Sequence, residues 1–166
     1  MEGLSKKELE LISSLEFDKK YFFTAADVDT FVKNKTQRYN VIKHLIKKKR
    51  IIKLNKRKYY LIPIKAKTGG WSEDPFLVID EMMDGKNYFV GGWAAANYWR
   101  LTDQIPFQYD VYTTKRQGRV TIFHARIVFH RTTKKRITSS VVEKVAHHSF
   151  RLAAQPEMKA WIKLKE

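Results

Sequence analysis

KNKTQRYNVIKHLIKKKRIIKLNKRKYYLI, from Lys33 to Ile62, carries twelve Lys and Arg residues and no acid. A block of like charge ordinarily repels itself and stays disordered. Here Ile, Leu, Val and Tyr are threaded through the charge at regular spacing, so the stretch is expected to fold. Tyr39, Ile42, Leu45 and Ile46 repeat at three and four residues, the mark of one buried helical face. That helix is expected to begin between Asn34 and Thr36. Its other face would carry Gln37, Arg38, Asn40, Lys43, His44 and Lys47. Such side chains bond to phosphates and to base edges. Beyond it, Ile51–Leu54 and Lys58–Ile62 are β-rich runs around Asn55-Lys56-Arg57, which predicts a hairpin with a basic tip.

Upstream, Ser5 with Glu8 three residues later predicts a capping box, and Leu4 with Leu9 a hydrophobic staple. Leu9, Ile12 and Leu15, with Leu11 beside them, predict a helix ending near Glu16. Thr24 with Asp27 predicts a second helix, buried through Val28, Phe31 and Val32. Helix, helix, short turn, helix and basic hairpin is the order of a winged helix-turn-helix, here over residues 1–65. In that arrangement the third helix enters the major groove and the hairpin lies along the flanking backbone. The candidate contacts to double-stranded DNA are Lys35, Thr36, Gln37, Arg38, Asn40, Lys43, Lys47, Lys53, Asn55, Lys56, Arg57 and Lys58. Gln37, Arg38 and Asn40 are the candidates for reading bases. Lys43, Lys47 and the hairpin cations suit phosphates, which position without specifying. A solvated Lys-rich face and a protein-docking winged helix stay open as alternatives, although a docking hairpin has no need to exclude every Asp and Glu.

The whole chain agrees with a polyanionic partner. Its 166 residues have room for one ordinary domain or two small ones. The apolar fraction of 43% argues against disorder, and the formal net charge of +16 favours a partner that neutralises it. Nucleic acid is the foremost such partner and an anionic membrane surface the other. There is no cysteine, which excludes disulfides and thiolate metal sites. No apolar run approaches the ~20 residues of a membrane span. No apolar signal-peptide core follows Met1. These features lead us to expect a soluble, cytoplasmic protein without a membrane partner. The charge is uneven: residues 30–72 contain no acid, and Glu73, Asp74, Asp80, Glu81 and Asp84 form one acidic island.

Gly69-Gly70 and Pro75 interrupt the pattern and predict a linker at 66–74. A second, small α+β domain with a mainly antiparallel sheet is expected over 75–166. Its helices are expected at Phe76–Met83 and Trp93–Leu101. Its strands are expected at Tyr88–Val90, Phe107–Thr114 and Val120–Thr132, the last with a break near Ala125.

Several constellations could carry chemistry. Gly91-Gly92 between strand and helix could cradle a phosphate, but no Gly-Lys-Ser/Thr follows, so a tight turn with close packing is the simpler reading. His124 and His130 share parity on an extended run and could share a face. Two imidazoles without acids make a poor metal site. Asp80, Glu81 and Asp110 could be nuclease carboxylates, which makes a metal-dependent nuclease targeted by the winged helix the enzymatic alternative. The usual Glu-x-Lys on a neighbouring strand is missing, and Asp110 is expected to pair with a nearby Arg. Trp93, Tyr98, Trp99 and Trp161 are expected in the core. No catalytic residue, metal ligand or cofactor is assigned.

The segment DPFLVIDEMMDGKNYFVGGWAAANYWRLTDQIPFQYDVYTTKR, Asp74 to Arg116, resembles the second domain of the AbiEi-type abortive-infection antitoxins. The matching residues are Tyr88, Gly91, Gly92, Trp93, Ala94, Tyr98 and Leu101, then Thr102, Gln104, Ile105 and Pro106, and the strand ending Thr113-Thr114 before the basic turn at Lys115 and Arg116. The resemblance spans roughly residues 5–135. It implies a non-enzymatic DNA-binding autorepressor of a type IV toxin–antitoxin operon, acting at operator repeats. The functional partner it implies is a nucleotidyltransferase-like toxin that the antitoxin need not contact directly. Residues 139–166 depart from the family's pattern.

Overall fold

The computed structural model describes residues 3–66, 73–145 and 147–165. The chain divides into two compact units, Met1–Trp71 and Ser72–Glu166. Most of the expected linker, 67–72, lies outside the described residues.

In the first unit, α1 (Lys6–Phe17) starts at the expected capping box. Ser5 Oγ accepts from the Glu8 amide at 3.3 Å, and the Ser5 amide donates to Glu8 Oε2 at 2.6 Å. β1 (Phe22–Thr24) leads into the one-turn α2 (Ala25–Val28). There the Thr24 amide and hydroxyl both donate to Asp27 Oδ2, at 2.7 and 2.9 Å. α3 (Lys35–Lys47) is capped by Asn34, whose Oδ1 accepts from the amides of Thr36 and Gln37. β2 (Ile51–Lys53) and β3 (Lys58–Leu61) form the expected hairpin. The strands make an antiparallel sheet in the order β1-β3-β2.

The core joins Leu11, Ile12 and Leu15 of α1 to Phe23, Val28, Val32, Ile42, Leu45, Ile51 and Leu61. Four apolar residues expected on buried faces are exposed instead. Leu9 is 47% exposed, and Glu8 takes the inward position instead. The buried stripe of α1 is therefore Glu8, Leu11, Ile12 and Leu15. Phe31 is 44% exposed, so α2 buries Val28 and the following loop Val32. On α3 only Ile42 and Leu45 are buried, while Tyr39 is 65% and Ile46 38% exposed. Apolarity misled the assignment because polar residues, Glu8 and Arg38, take inward positions beside ionic partners.

The second unit runs α4 (Pro75–Met83), β4 (Tyr88–Gly91), α5 (Gly92–Tyr98), β5 (Gln108–Thr113), β6 (Gly118–Ile122), β7 (Ala125–Arg131), α6 (Lys134–Thr138), β8 (Val141–Val145), β9 (His148–Leu152) and α7 (Gln155–Lys163). Asp74 caps α4 by accepting from the Phe76 amide at 2.9 Å, and Asp84 and Gly85 end the helix with positive φ. α5 stops three residues earlier than expected, and Arg100 then turns at φ 54°. The six strands lie in the order β6-β7-β5-β4-β9-β8. β4/β5, β6/β7 and β8/β9 are antiparallel, whereas β5/β7 and β4/β9 are parallel. The unit is α+β as expected, and its sheet is mixed, with three of its five strand pairings antiparallel and two parallel. The reason is that β6 folds back outside β7, so β7 enters beside β5 in the same direction. The break in the 120–132 run falls at Phe123, φ 54°, and makes two strands of it. No helix among the described residues is long and apolar enough to cross a membrane.

Candidate functional site

The side chains of α3 fall on lines set by its 3.6-residue turn. With Ile42 and Leu45 inward, the outermost line is Thr36, Asn40, Lys43 and Lys47, all exposed. Gln37 and His44 flank it on one side. Lys35, Tyr39 and Ile46 flank it on the side of the hairpin strands, where they line one groove with Lys53 and Tyr59. Asn34 holds the N-terminal turn of this surface in place, since its side chain satisfies two of the otherwise unpaired amides.

Arg38 stands apart from the other candidates for base reading. Its guanidinium is ion-paired with Asp29, at the end of α2, and its side chain is 18% exposed. It therefore links the two helices, while Asn40 lies on the outermost line and Gln37 at its edge. Asp29 is the last acid before the acid-free stretch, which was the available signal for this pair.

The hairpin tip is divided in the same way. Asn55 Oδ1 accepts from the amides of Arg57 and Lys58 at 2.8 and 2.9 Å, so this side chain shapes the turn. Lys53, Lys56 and Arg57 are exposed, and Lys58 is half-buried. Lys48, just past α3, is bound to Glu8 Oε2 at 2.7 Å and to the Gly3 carbonyl at 2.8 Å. Burial alone would raise the Glu8 pKa, but the bonds from Lys48 and Ser5 outweigh it and hold the carboxyl below its ordinary value.

In the second unit most of the residues singled out for the resemblance build the scaffold. Tyr88 is buried; its hydroxyl donates to Asp80 Oδ1 at 2.6 Å and accepts from the Arg151 amide at 3.1 Å. Burial, then the Asp80 carboxylate, pushes its phenol pKa far up. Gly91 lies under the Tyr112 ring, where an added Cβ would meet carbon at 2.8 Å. Gly92 has φ +63° and faces Asp110, whose Oδ2 would lie 2.6 Å from such a Cβ. The glycine pair is thus a close-packed turn, and the nearby carboxylate opposes a phosphate there. Ala94 is buried, and Tyr98 donates to Glu143 Oε2 at 3.1 Å. Trp93 packs edge-on against Trp161, with ring centroids 5.0 Å apart. Lys115 Nζ reaches the Met83 carbonyl at 3.4 Å, and the Arg116 guanidinium sits 4.1 Å above the Phe129 ring. Gln104 is exposed and Pro106 half-buried beside it.

Asp110 pairs with a histidine rather than the expected arginine. Its Oδ1 is 2.8 Å from His130 Nε2 and 3.0 Å from Gln108 Nε2. The His130 ring stacks on Tyr112, which stacks on Phe89, each at 5.0 Å. His124 lies in the turn before β7, so it does not share a strand face with His130. Asp80 belongs to a separate network, bonded to Tyr88 and to His148 Nε2 at 2.9 Å. Among the described residues, no group of three or more His, Asp or Glu side chains is placed to hold a metal ion. Comparison with protein-family models gives no match, and comparison with curated proteins gives none.

Proposed function

We propose that the first unit is a winged helix-turn-helix that binds double-stranded DNA and that the protein is a non-enzymatic transcriptional regulator. The element order α1-β1-α2-α3-β2-β3 supports this reading, as does the β1-β3-β2 sheet. α2 and α3 would be the helix-turn-helix and β2-β3 the wing. The observation that carries the proposal is the outermost line of α3, Thr36-Asn40-Lys43-Lys47, within a stretch that has no acid from residue 30 to 72. Asn40 is suited to adenine in the major groove. Lys43, Lys47 and the hairpin cations are suited to phosphates.

The resemblance of Asp74–Arg116 extends the proposal to an autorepressor and antitoxin of a type IV toxin–antitoxin operon, acting on operator repeats in the cytoplasm. The toxin would be nucleotidyltransferase-like, neutralised without obligatory contact. In the second unit the exposed motif residues, Trp93, Gln104, Lys115 and Arg116, are the candidates for that role.

A gel-shift assay tests the DNA-binding reading. DNA from upstream of the coding sequence is compared with scrambled DNA of equal length at about 150 mM salt. A preference of about 10³-fold or more is expected, in the range of specific binders. Equal binding to both DNAs overturns the regulator. Rescue of growth from the product of the adjacent gene tests the antitoxin role separately.

A further inference from the structure

We infer that the hairpin-side flank of α3 reads thymine methyl groups, with Tyr39 and Ile46 as the reading side chains; the inference rests on the DNA-binding reading above. Both residues are large, apolar and exposed, at 65% and 38%. They are seven residues apart, two helical turns, and so lie on the same flank. Buried Ile42 closes the floor between them, and Tyr59 of β3 lines the same groove, whose volume is about 310 Å³. Lys35, Lys43 and Lys53 border it together with Arg38, whose charge is engaged by Asp29, and no acid lines it.

An apolar floor inside a cationic border fits a ligand that is apolar at the contact and anionic around it. The major groove of DNA offers that combination. The C5-methyl of thymine is the apolar group on its base edges, and phosphates flank it on both sides. Polar readout by Asn40 on the adjacent line leaves the methyl contacts to Tyr39 and Ile46. Along the helix these two are separated by about 10 Å, or about three base-pair steps.

The test uses the full chain and duplexes enriched from a randomised pool. Each enriched thymidine is then replaced in turn by deoxyuridine, which removes only the methyl and keeps the pairing edge. Wild-type protein is expected to bind about fourfold more weakly for each contacted methyl lost. The sensitive positions should lie about three base pairs apart. A Tyr39→Ala/Ile46→Ala double variant, and a Tyr39→Gln/Ile46→Gln variant as a second check, should bind both duplexes equally. Circular dichroism confirms that the variants fold. Specific binding that ignores the replacement overturns the inference and leaves the DNA-binding reading standing. Sensitivity retained in both double variants also overturns it, and unchanged DNA affinity in them would assign the groove to a protein partner. Failure of any duplex to enrich overturns the DNA-binding reading itself, and the inference with it.

Discussion

Lys48 Nζ lies 2.7 Å from Glu8 Oε2 and joins the end of α3 to the first turn of α1. The Glu8 side chain is 3% exposed, so one cation of the basic run is committed to the fold. Lys48→Met would leave a buried carboxylate without its partner, at a cost of about 3 kcal/mol near neutral pH. The folded-state pKa of Glu8 is lowered. The pair's contribution is therefore complete above the unfolded value of about 4.3 and is lost as pH falls through the folded value. Denaturation of wild type and Lys48→Met across pH should show a gap that narrows below about pH 4. A gap that stays constant into acid would mean that Glu8 is not the group responsible.

The hairpin tip separates structure from binding. Asn55→Ala removes the acceptor for two amides and should destabilise the first unit by about 1 kcal/mol. Lys56→Ala should leave stability unchanged and lower the slope of log affinity against log salt by about one. Melting curves and salt titrations of both variants check this. The reverse assignment of effects would remove Asn55 as the turn former.

Local signals were legible and long-range ones were not. The helix starts at Ser5 and Thr24 could be read because each cap pairs residues three apart, and the start of α3 could be placed between Asn34 and Thr36. β1 was missed because three residues show no period; the strand exists through its pairing with β3, Phe22 opposite Tyr60. The inward face of α3 was misplaced because Tyr39 and Ile46 are apolar, while Arg38 is turned inward by an acid nine residues earlier. In the second unit, Pro156 in the first turn of α7 was a local signal, whereas Val141–Val145 alternates in burial but not in apolarity, because Val142 faces out and Glu143 in. The parallel entry of β7 beside β5 had none, since strand order is settled by non-local pairing. The His130–Asp110 bond depends on that entry.

Arg38 and Asn40 should behave differently although only Tyr39 separates them. Arg38 is held by Asp29, so Arg38→Ala should weaken all DNA sequences alike through the α2–α3 arrangement. Asp29→Ala should do the same, with a stability change under about 1 kcal/mol for so exposed an acid. Asn40→Ala should relax preference at one base pair, at about 1–3 kcal/mol. Binding to a panel of single-base variants distinguishes them. Relaxation at one position by Arg38→Ala would show that the arginine leaves Asp29 to read a base.

Gly92 and Asp110 provide a test of the second unit that is independent of DNA. Gly92→Ala meets two obstacles. Its φ of +63° costs an L-residue roughly 1–2 kcal/mol. Its new Cβ would also lie 2.6 Å from Asp110 Oδ2. The carboxylate cannot swing away freely, because Gln108 and His130 hold its other oxygen. The total loss should exceed about 2 kcal/mol, and in an Asp110→Ala background only the backbone part should remain. Thermal denaturation of the two single variants and the double variant measures the coupling. A recovery of about 1 kcal/mol or more in the double variant is expected for residues in contact. Strict additivity would show that the carboxylate does not lie over the glycine, and would reopen the strand-to-helix turn to another occupant.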